Sequence, residues 1–233
     1  SFKETIKSAA CLRTQELRCA VKTLGIEQLH FLNYRDSGMP GSEANDHPKA
    51  LAAQPVDQVA REVAHLIRQI QPDVVLTFDP IGGYRHPDHI AMHKATVQAF
   101  ELSADEAFKD PENLPPFQPK KLYYHTINHT FLKIVVWVMR LTGQNPHQFG
   151  RNKDIDLVAL TEVDFPVHAK IDYHEVKEIK DEAARCHASQ GGADMNKGLR
   201  GLVTRLFGGY KDEYMQAYPE PEDGRKVKLD LFE

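Results

Sequence analysis

Cysteine is scarce in this sequence. Its three cysteines, Cys11, Cys19 and Cys186, show no Cys-x-x-Cys spacing, which argues against a disulfide scaffold or a thiolate zinc site. Because Cys11 and Cys19 lie on one predicted helix, about 12 Å apart along its axis, they are too distant for a disulfide and are expected to remain thiols. A reducing, cytoplasmic compartment is therefore expected.

The sequence also lacks an excess of positive charge and long apolar runs. The 33 Asp and Glu residues outnumber the 29 Lys and Arg residues, so the cationic excess that phosphate-backbone binding needs is missing and a dedicated nucleic-acid binder is disfavoured. The longest apolar run, 134–139, is far shorter than the roughly 18 to 20 residues that cross a bilayer, so no membrane span is predicted. The chain opens on Ser1 without a signal-peptide pattern, and we expect its true start to lie upstream.

The chain has 233 residues, of which 41% are hydrophobic and 27% are charged. This length and composition are typical of one globular domain. Hydrophobic periodicity predicts alternating helices and strands. The predicted helices cover 4–24, 55–70, 87–102, 130–141 and 172–188, and the predicted strands cover 29–32, 73–79, 121–127 and 156–160. This order is typical of an α/β fold with a parallel sheet wrapped by helices on both faces, in which ligands bind beyond the carboxyl ends of the strands. The nearly all-apolar strand 73–79 is expected to be buried on both faces.

One predicted helix, 130–141, interrupts the simple alternation. Its apolar residues occupy a broad face. This pattern favours a buried or surface-packed helix over an exposed lid, an oligomer contact or a membrane-surface contact. The sequence leaves these alternatives open.

The strongest chemical signal directly follows strand 73–79, where residues 79–89 read DPIGGYRHPDH. Pro87 suits the first position of a helix, which makes His86 its N-cap and His89 its third residue, so both imidazoles are expected at the ligand-binding edge of the sheet. Neutral imidazole is a good zinc ligand. Asp88 is placed to bond an imidazole N–H, while the alternative is that Asp88 and His86 only cap the helix.

A third histidine, His93, follows His89 by four residues and so lies on the same helical face. This spacing also occurs in helical zinc sites. A packing or supporting role is nevertheless favoured for His93, because the preceding loop 79–89 already contains a concentrated set of ionisable and metal-binding side chains.

Three segments carry a family resemblance. Residues 82–89, GGYRHPDH, resemble the second signature of the PIG-L/LmbE-like zinc-dependent de-N-acetylases. Residues 34–39, YRDSGM, resemble that family's arginine-bearing substrate loop, and residues 187–190, HASQ, resemble its later His-x-Ser-Gln segment. The resemblance covers most of 4–218 and is weakest around 129–153, which is taken as a family-variable insertion. It implies a three-layer Rossmann-like fold.

The resemblance also implies roles for residues of the loop. His89 would be a zinc ligand, and His86 would be the acid or the imidazole that stabilises the oxyanion. Asp88 would orient His86, and Tyr84 would approach the tetrahedral intermediate. These four residues form the predicted catalytic and metal-binding group.

Two further residues are implied in substrate binding. The planar fork of Arg35 suits sugar, carboxylate or phosphate oxygens. Gln190 lies in the His-x-Ser-Gln segment. A surface ion pair is the alternative for Arg35, and a polar helix end is the alternative for Gln190.

The sequence departs from the family pattern in one respect. Family members carry an earlier His-Pro-Asp-Asp-Glu-like motif that supplies two further zinc ligands and the general base, and no such motif occurs here. The other His-Pro pair, at 47–48, continues as Lys-Ala and cannot replace it. We therefore expect an N-terminally truncated chain that lacks the first strand, helix and next strand, and that is inactive alone.

The predicted function is zinc-dependent hydrolysis of an N-acetyl group from a small-molecule, N-acetylglucosamine-like amino sugar conjugate. One alternative is a metal-free, non-catalytic ligand-binding relative. A Rossmann-like nucleotide binder has weaker support, since the pair at 82–83 lacks the Gly-x-Gly-x-x-Gly fingerprint. A homo-oligomer is left open.

Overall fold

The fold is seen in a computed structural model that describes residues 2–150, 152–191, 210–222, 224 and 226–233, with side chains from residue 9 onward. The predicted insertion 129–153 is thus described except at Arg151, and Ile6 of the first predicted helix lies outside the described side chains. The helices are α1 Phe2–Leu24, α2 Val56–Ile70, α3 Gly82–Arg85, α4 Pro87–Ala104, α5 His129–Leu141, α6 Leu157–Leu160 and α7 Lys177–Cys186. The strands are β1 Val74–Phe78, β2 Lys121–Thr126, β3 Ala169–Asp172 and β4 Lys211–Tyr218. Short 3₁₀ turns cover Glu43–Asp46, Leu51–Ala53, His174–Val176 and Ala188–Gln190.

The α/β class is confirmed, but the sheet is mixed where a parallel sheet was predicted. Its strand order is β1-β2-β4-β3. β1 and β2 are parallel, whereas β4 runs antiparallel to both β2 and β3. Neither β3 nor β4 was predicted as a strand, and the two strands that were correctly predicted, β1 and β2, are indeed parallel. Hydrophobic periodicity carries no information on strand direction, so it does not reveal the antiparallel course of β4.

Two predicted strands are wrong. Residues 29–32 lie in an irregular stretch without a strand ladder. Residues 157–160 form α6, because the carboxylate of Asp156 accepts the backbone N–H groups of Val158 and Ala159 and caps a helix at that point. A short apolar run does not distinguish strand from helix, and the capping aspartate was the missed signal.

The main core lies between the sheet and two helices on one of its faces. Packing of α2 against α4 buries a cluster that consists of Val59, Ala60, Ala64, Ile67, Ala95, Ala99 and Phe108. On the other face, α7 contacts β4 through an ion pair between Lys180 and Asp212, and α1 packs against α7. The expectation that β1 is buried on both faces is wrong, because Leu76 and Phe78 are 49% and 36% exposed.

The helix α5 is packed on one face only. Leu132, Val136 and Met139 are buried against α6, which confirms the expected packed helix. Its opposite face leaves Trp137 and Leu141 62% and 66% exposed. None of the helices in the described ranges is both long and apolar enough to cross a membrane.

The cysteine prediction is wrong for one of the two residues. Cys19 is joined to Cys186 by a disulfide that links α1 to the end of α7, and their Cα atoms are 5.8 Å apart. Cys11 is a free, exposed thiol, as predicted. The prediction compared only Cys11 with Cys19, which lie on one helix. Packing of α1 on α7 brings Cys19 to Cys186, which is 167 positions away in the sequence. The cysteine argument for a reducing compartment therefore no longer holds.

Candidate active site

The loop after β1 is anchored by one buried carboxylate. Oδ1 of Asp79 accepts the backbone N–H groups of Ile81 and Gly83 at 3.1 and 2.9 Å. The carbonyl of Asp79 accepts the N–H of Gly82 at 2.9 Å. These three bonds fold the chain into a tight turn at the carboxyl end of β1, where ligand sites of α/β proteins occur.

Gly82 allows this turn to lie against the start of α4. Its φ is +69°, in the left-handed region, and a Cβ at this position would lie 2.7 Å from Cγ1 and 2.8 Å from the backbone N of Ile90. Only glycine therefore fits without a shift of the helix backbone. The close approach also brings the Gly82 carbonyl to the ring of His89.

His89 is held through one ring nitrogen, and its other ring nitrogen has no hydrogen bond to any residue that the structure describes. Its Nδ1–H donates to the carbonyl of Gly82 at 3.2 Å, and its ring stacks on Phe78 with centroids 3.9 Å apart. Burial, together with the nearby ring of His86, lowers the pKa of His89. A neutral imidazole whose Nδ1 proton is committed to a carbonyl presents its Nε2 lone pair outward, which is the form that ligates zinc. The residue thus fits the metal-binding role that the sequence predicts for it.

His86 occupies the predicted N-cap of α4. Its Nδ1 accepts the backbone N–H of Asp88 at 3.2 Å, and Pro87 is the first helical residue. Because Nδ1 is an acceptor, the ring proton lies on Nε2 and is available as a donor. The ring centroid lies 4.9 Å from that of His89. Capping and a chemical role are therefore compatible, since they use different nitrogens.

Asp88 is bonded to the loop 34–39 rather than to an imidazole. Its carboxylate accepts the backbone N–H of Ser37 at 3.0 Å and also the Ser37 hydroxyl. Ser37 is fully buried, and its Oγ accepts the N–H of Ala52 at 2.9 Å. Ser37 was missed by the sequence analysis, although it lies two residues after Arg35 in the same motif.

A second missed residue is Asp36, which brings a further carboxylate to the site. One oxygen of Asp36, one of Asp88 and a ring nitrogen of His86 lie within 4.8 Å of one another, a set able to hold a metal ion. Asp36 also pairs with Arg13 of α1 and accepts the N–H of Gly38 at 2.7 Å. Partial burial raises the pKa of Asp36, but these bonds outweigh it and the net pKa lies below its usual value.

Tyr84 stands edge-on to both imidazoles. Its ring centroid lies 5.0 Å from that of His89 and 5.8 Å from that of His86. Burial, followed by the charges of Asp36 and Asp154, raises the pKa of Tyr84. The phenol therefore stays protonated near neutral pH and is able to donate a hydrogen bond.

Arg35 has its backbone fixed and its side chain unengaged. Its N–H donates to Lys49 and its carbonyl accepts from Leu51, at 2.8 and 3.0 Å. Within the described part of the chain, the guanidinium has no hydrogen bond or ion pair, so the alternative of a surface ion pair has no support. The next two residues, Asp36 and Ser37, tie this loop to the start of α4.

The structure does not join Gln190 to the histidine loop. In the ranges that are described, the side chain of Gln190 bonds to His187 at 3.5 Å and to Glu16 of α1. Glu16 also accepts the N–H and the hydroxyl of Ser189, both at 2.7 Å. His93, the remaining candidate, donates Nδ1–H to the Phe78 carbonyl at 2.8 Å and so supports the strand end.

These features define a class of protein, an α/β fold whose glycine loop and helix N-terminus assemble two imidazoles, a phenol and carboxylates at the carboxyl end of a strand. The family model for PIG-L, described as GlcNAc-PI de-N-acetylase, matches residues 2–100. A protein of Catenulispora acidiphila, named 1D-myo-inositol 2-acetamido-2-deoxy-alpha-D-glucopyranoside deacetylase 2, is 32% identical over 238 residues, which cover 94% of this chain and 76% of that protein. The chain belongs to the PIG-L family.

Further relatives agree with this assignment. A deacetylase of the same substrate name from Thermomonospora curvata is 36% identical over 182 residues, 76% of this chain and 59% of that protein. The chain spans about three fifths of the length of several curated relatives that it matches. The N,N'-diacetylchitobiose deacetylase of Pyrococcus horikoshii aligns with a TM-score of 0.56 at 18% identity, over 89% of this chain and 63% of that chain. This structural likeness supports the predicted fold.

Proposed function

We propose that this chain is part of a zinc-dependent hydrolase that removes an N-acetyl group from an N-acetylglucosamine-like amino sugar conjugate. The observation that carries the proposal is His89, whose Nδ1–H is committed to Gly82 while Nε2 remains available beside His86 and Tyr84. Membership of the PIG-L family and the names of the relatives supply the substrate class.

The roles follow from the bonding of each side chain. His89 would ligate zinc through Nε2, and zinc, when bound, polarises an amide carbonyl and lowers the pKa of water. His86 keeps its proton on Nε2 because Nδ1 caps α4, so it is placed to donate to the oxygen or the nitrogen of the amide. The phenol of Tyr84 stays protonated and would donate a hydrogen bond to the developing oxyanion.

Asp88 and Arg35 serve positioning and substrate binding. In this proposal Asp88 orients the His86 turn by holding it to Ser37, rather than by bonding the imidazole itself. Arg35, whose guanidinium has no partner among the described residues, binds substrate oxygens through its planar fork. Gln190 remains a proposed substrate contact that would have to meet the ligand from the α1–α7 side. A cytoplasmic location likewise remains a prediction.

Two histidine variants test the assignment. Zinc content and acetate release are measured for the 233-residue chain and for the complete product of the gene that encodes it. In the active form, His89→Ala should remove zinc, whereas His86→Ala should retain zinc and slow turnover by about 10² to 10⁴. His30→Ala, at an exposed histidine bonded to Gln28, is the matched control.

The outcomes separate the alternatives. Loss of zinc from His86→Ala would make the Asp36, His86 and Asp88 group the metal site instead. Absence of zinc and of acetate release in both lengths of chain, with sugar binding retained, would favour the metal-free binding relative.

Arg35→Lys should raise KM by about 10-fold with zinc content unchanged, because a charge-assisted bidentate contact is lost.

A further inference from the structure

A row of three rings crosses the sheet beside the site. Phe78 of β1 is the register partner of His125 of β2, and His125 is the register partner of Tyr214 of β4. Partners in a ladder project from the same face, so the three side chains lie side by side at strand spacing, about 10 Å from first to last. The ring of His89 stacks on Phe78. The row therefore starts at the proposed metal ligand and leads away from it.

The row is open to solvent on the β1 and β2 side. Phe78 is 36% exposed, and the side chain of His125 is 50% exposed. The His125 ring packs edge-on against Tyr214, with centroids 5.4 Å apart. An open platform of flat rings beside a reacting centre is able to support a flat or cyclic ligand.

Polar groups border the platform on its far side. Oδ1 of Asp212 lies 3.9 Å from Nε2 of His125, and Oδ2 lies 2.5 Å from Nζ of Lys180. Nζ of Lys180 also lies 3.6 Å from the ring centroid of Tyr173. Asp212 and Lys180 cancel in charge, so the border offers hydrogen bonds without a net charge.

Tyr214 adds a donor to this border. In the part of the chain that the structure describes, its hydroxyl has no hydrogen-bond partner. Burial of the ring, and secondarily the charge of Asp212, raises the pKa of Tyr214 to about 12. The hydroxyl is therefore protonated near neutral pH and is free to bond a ligand.

We propose that Phe78, His125, Asp212 and Tyr214 form a subsite for a second, polyhydroxylated ring of the substrate, next to the ring that carries the N-acetyl group. The rings of the row contact the apolar face of the ligand ring, while Asp212 accepts from its hydroxyls and the Tyr214 hydroxyl donates to them. A charged ligand fits less well than a neutral one, because the charges of Asp212 and Lys180 already neutralise each other. This inference rests on the proposed function and assigns residues to the conjugated part of the substrate.

The test compares a one-ring and a two-ring probe. Binding of N-acetylglucosamine and of 1D-myo-inositol 2-acetamido-2-deoxy-α-D-glucopyranoside is measured by calorimetry on the full chain, and KM is measured wherever acetate is released. His125→Ala and Tyr214→Phe should each weaken the two-ring probe by about 10-fold, the first because a ring contact is lost and the second because a hydrogen bond is lost. Neither variant should change affinity for the one-ring probe by as much as about 2-fold, since that ring contacts neither residue.

A matched histidine provides the control. His147, whose side chain is 55% exposed, pairs with Asp156 at 2.9 Å, and His147→Ala should leave both probes unaffected. Unfolding curves check that the variants are folded. Equal weakening of both probes, or no change with the two-ring probe, would overturn the subsite. A wild-type chain that binds both probes but releases no acetate, even as the complete gene product, would instead refute the proposed hydrolysis and leave the subsite comparison intact.

Discussion

Two histidine-bearing segments that the family resemblance singled out, 82–89 and 187–190, are held in place in opposite ways. The loop that carries His86 and His89 is built from local bonds, to Asp79 and Gly82, that join residues within a few positions of one another. The segment 187–190 is attached through contacts that span most of the chain, namely the disulfide from Cys186 and the bonds of Ser189 to Glu16. The turn of the first segment therefore depends on short-range geometry, although Asp88 also ties it to Ser37, whereas the second segment depends on the packing of α1 against α7.

The largest expected effect comes from the disulfide. Cys186→Ser should lower the free energy of unfolding by about 4 kcal/mol, because the cross-link closes a very long loop in the unfolded chain. Denaturant unfolding measures the loss, and Cys11→Ser, at a free and exposed thiol, should change little. Hydrogen exchange should quicken at the Ser189 amide and stay unchanged at the Gly82 amide. Equal unfolding midpoints for reduced and oxidised wild type would contradict this prediction.

A slightly smaller effect is expected in the local loop. Gly82→Ala should destabilise the fold by about 3 kcal/mol, because it combines a left-handed backbone with a Cβ pressed against Ile90. Gly25→Ala is the matched control, since Gly25 has a similar φ of +70° but nothing within 4 Å of its Cβ position. Thermal or denaturant unfolding compares the two. A cost no greater for Gly82 than for Gly25 would show that the close approach to α4 is unimportant.

The bonds between Ser37 and Asp88, which we call the clasp between the two loops of the site, should contribute less to the free energy of unfolding. Ser37→Ala removes the hydroxyl bond to the carboxylate of Asp88 and should cost about 2 kcal/mol, the range of a hydrogen bond to a charged group. Ser42→Ala removes bonds to neutral groups only, the Ser37 carbonyl and the Asn45 amide, and serves as the control. In an active form, Ser37→Ala should also raise KM, because Arg35 lies two residues away. Identical unfolding free energies for the two variants would show that the clasp adds nothing.

The smallest expected effect is a pH dependence at Glu16. Bonds from the backbone N–H and the hydroxyl of Ser189 lower the pKa of Glu16. A carboxylate with a depressed folded pKa contributes stability above its unfolded pKa, about 4.3, and loses it as pH falls through the folded pKa. The stability difference between wild type and Glu16→Gln should therefore shrink below about pH 4. Glu27→Gln, at an exposed position, is the control, and a difference that is constant with pH would refute the linkage.

The candidate site was predictable where its contacts are local. Pro87 at the first helical position and His86 at the N-cap were read from the order of residues alone, and the structure confirms both. Ser37 and Asp36 were not found, because their bonds to Asp88 and Arg13 cross between loops or between a loop and a helix. Residues of one motif look equivalent in a sequence until the partner of each is known.

The sequence by itself determined the α/β class, the helices that flank the site and the turn that presents His86 and His89. These depend on apolar periodicity, proline, glycine and capping, which act over a few residues. Tertiary structure alone decided the antiparallel course of β4, the pairing of Cys19 with Cys186 and the open ring platform that starts at Phe78. Each of these joins residues distant in the chain, and local patterns do not specify which distant surfaces meet.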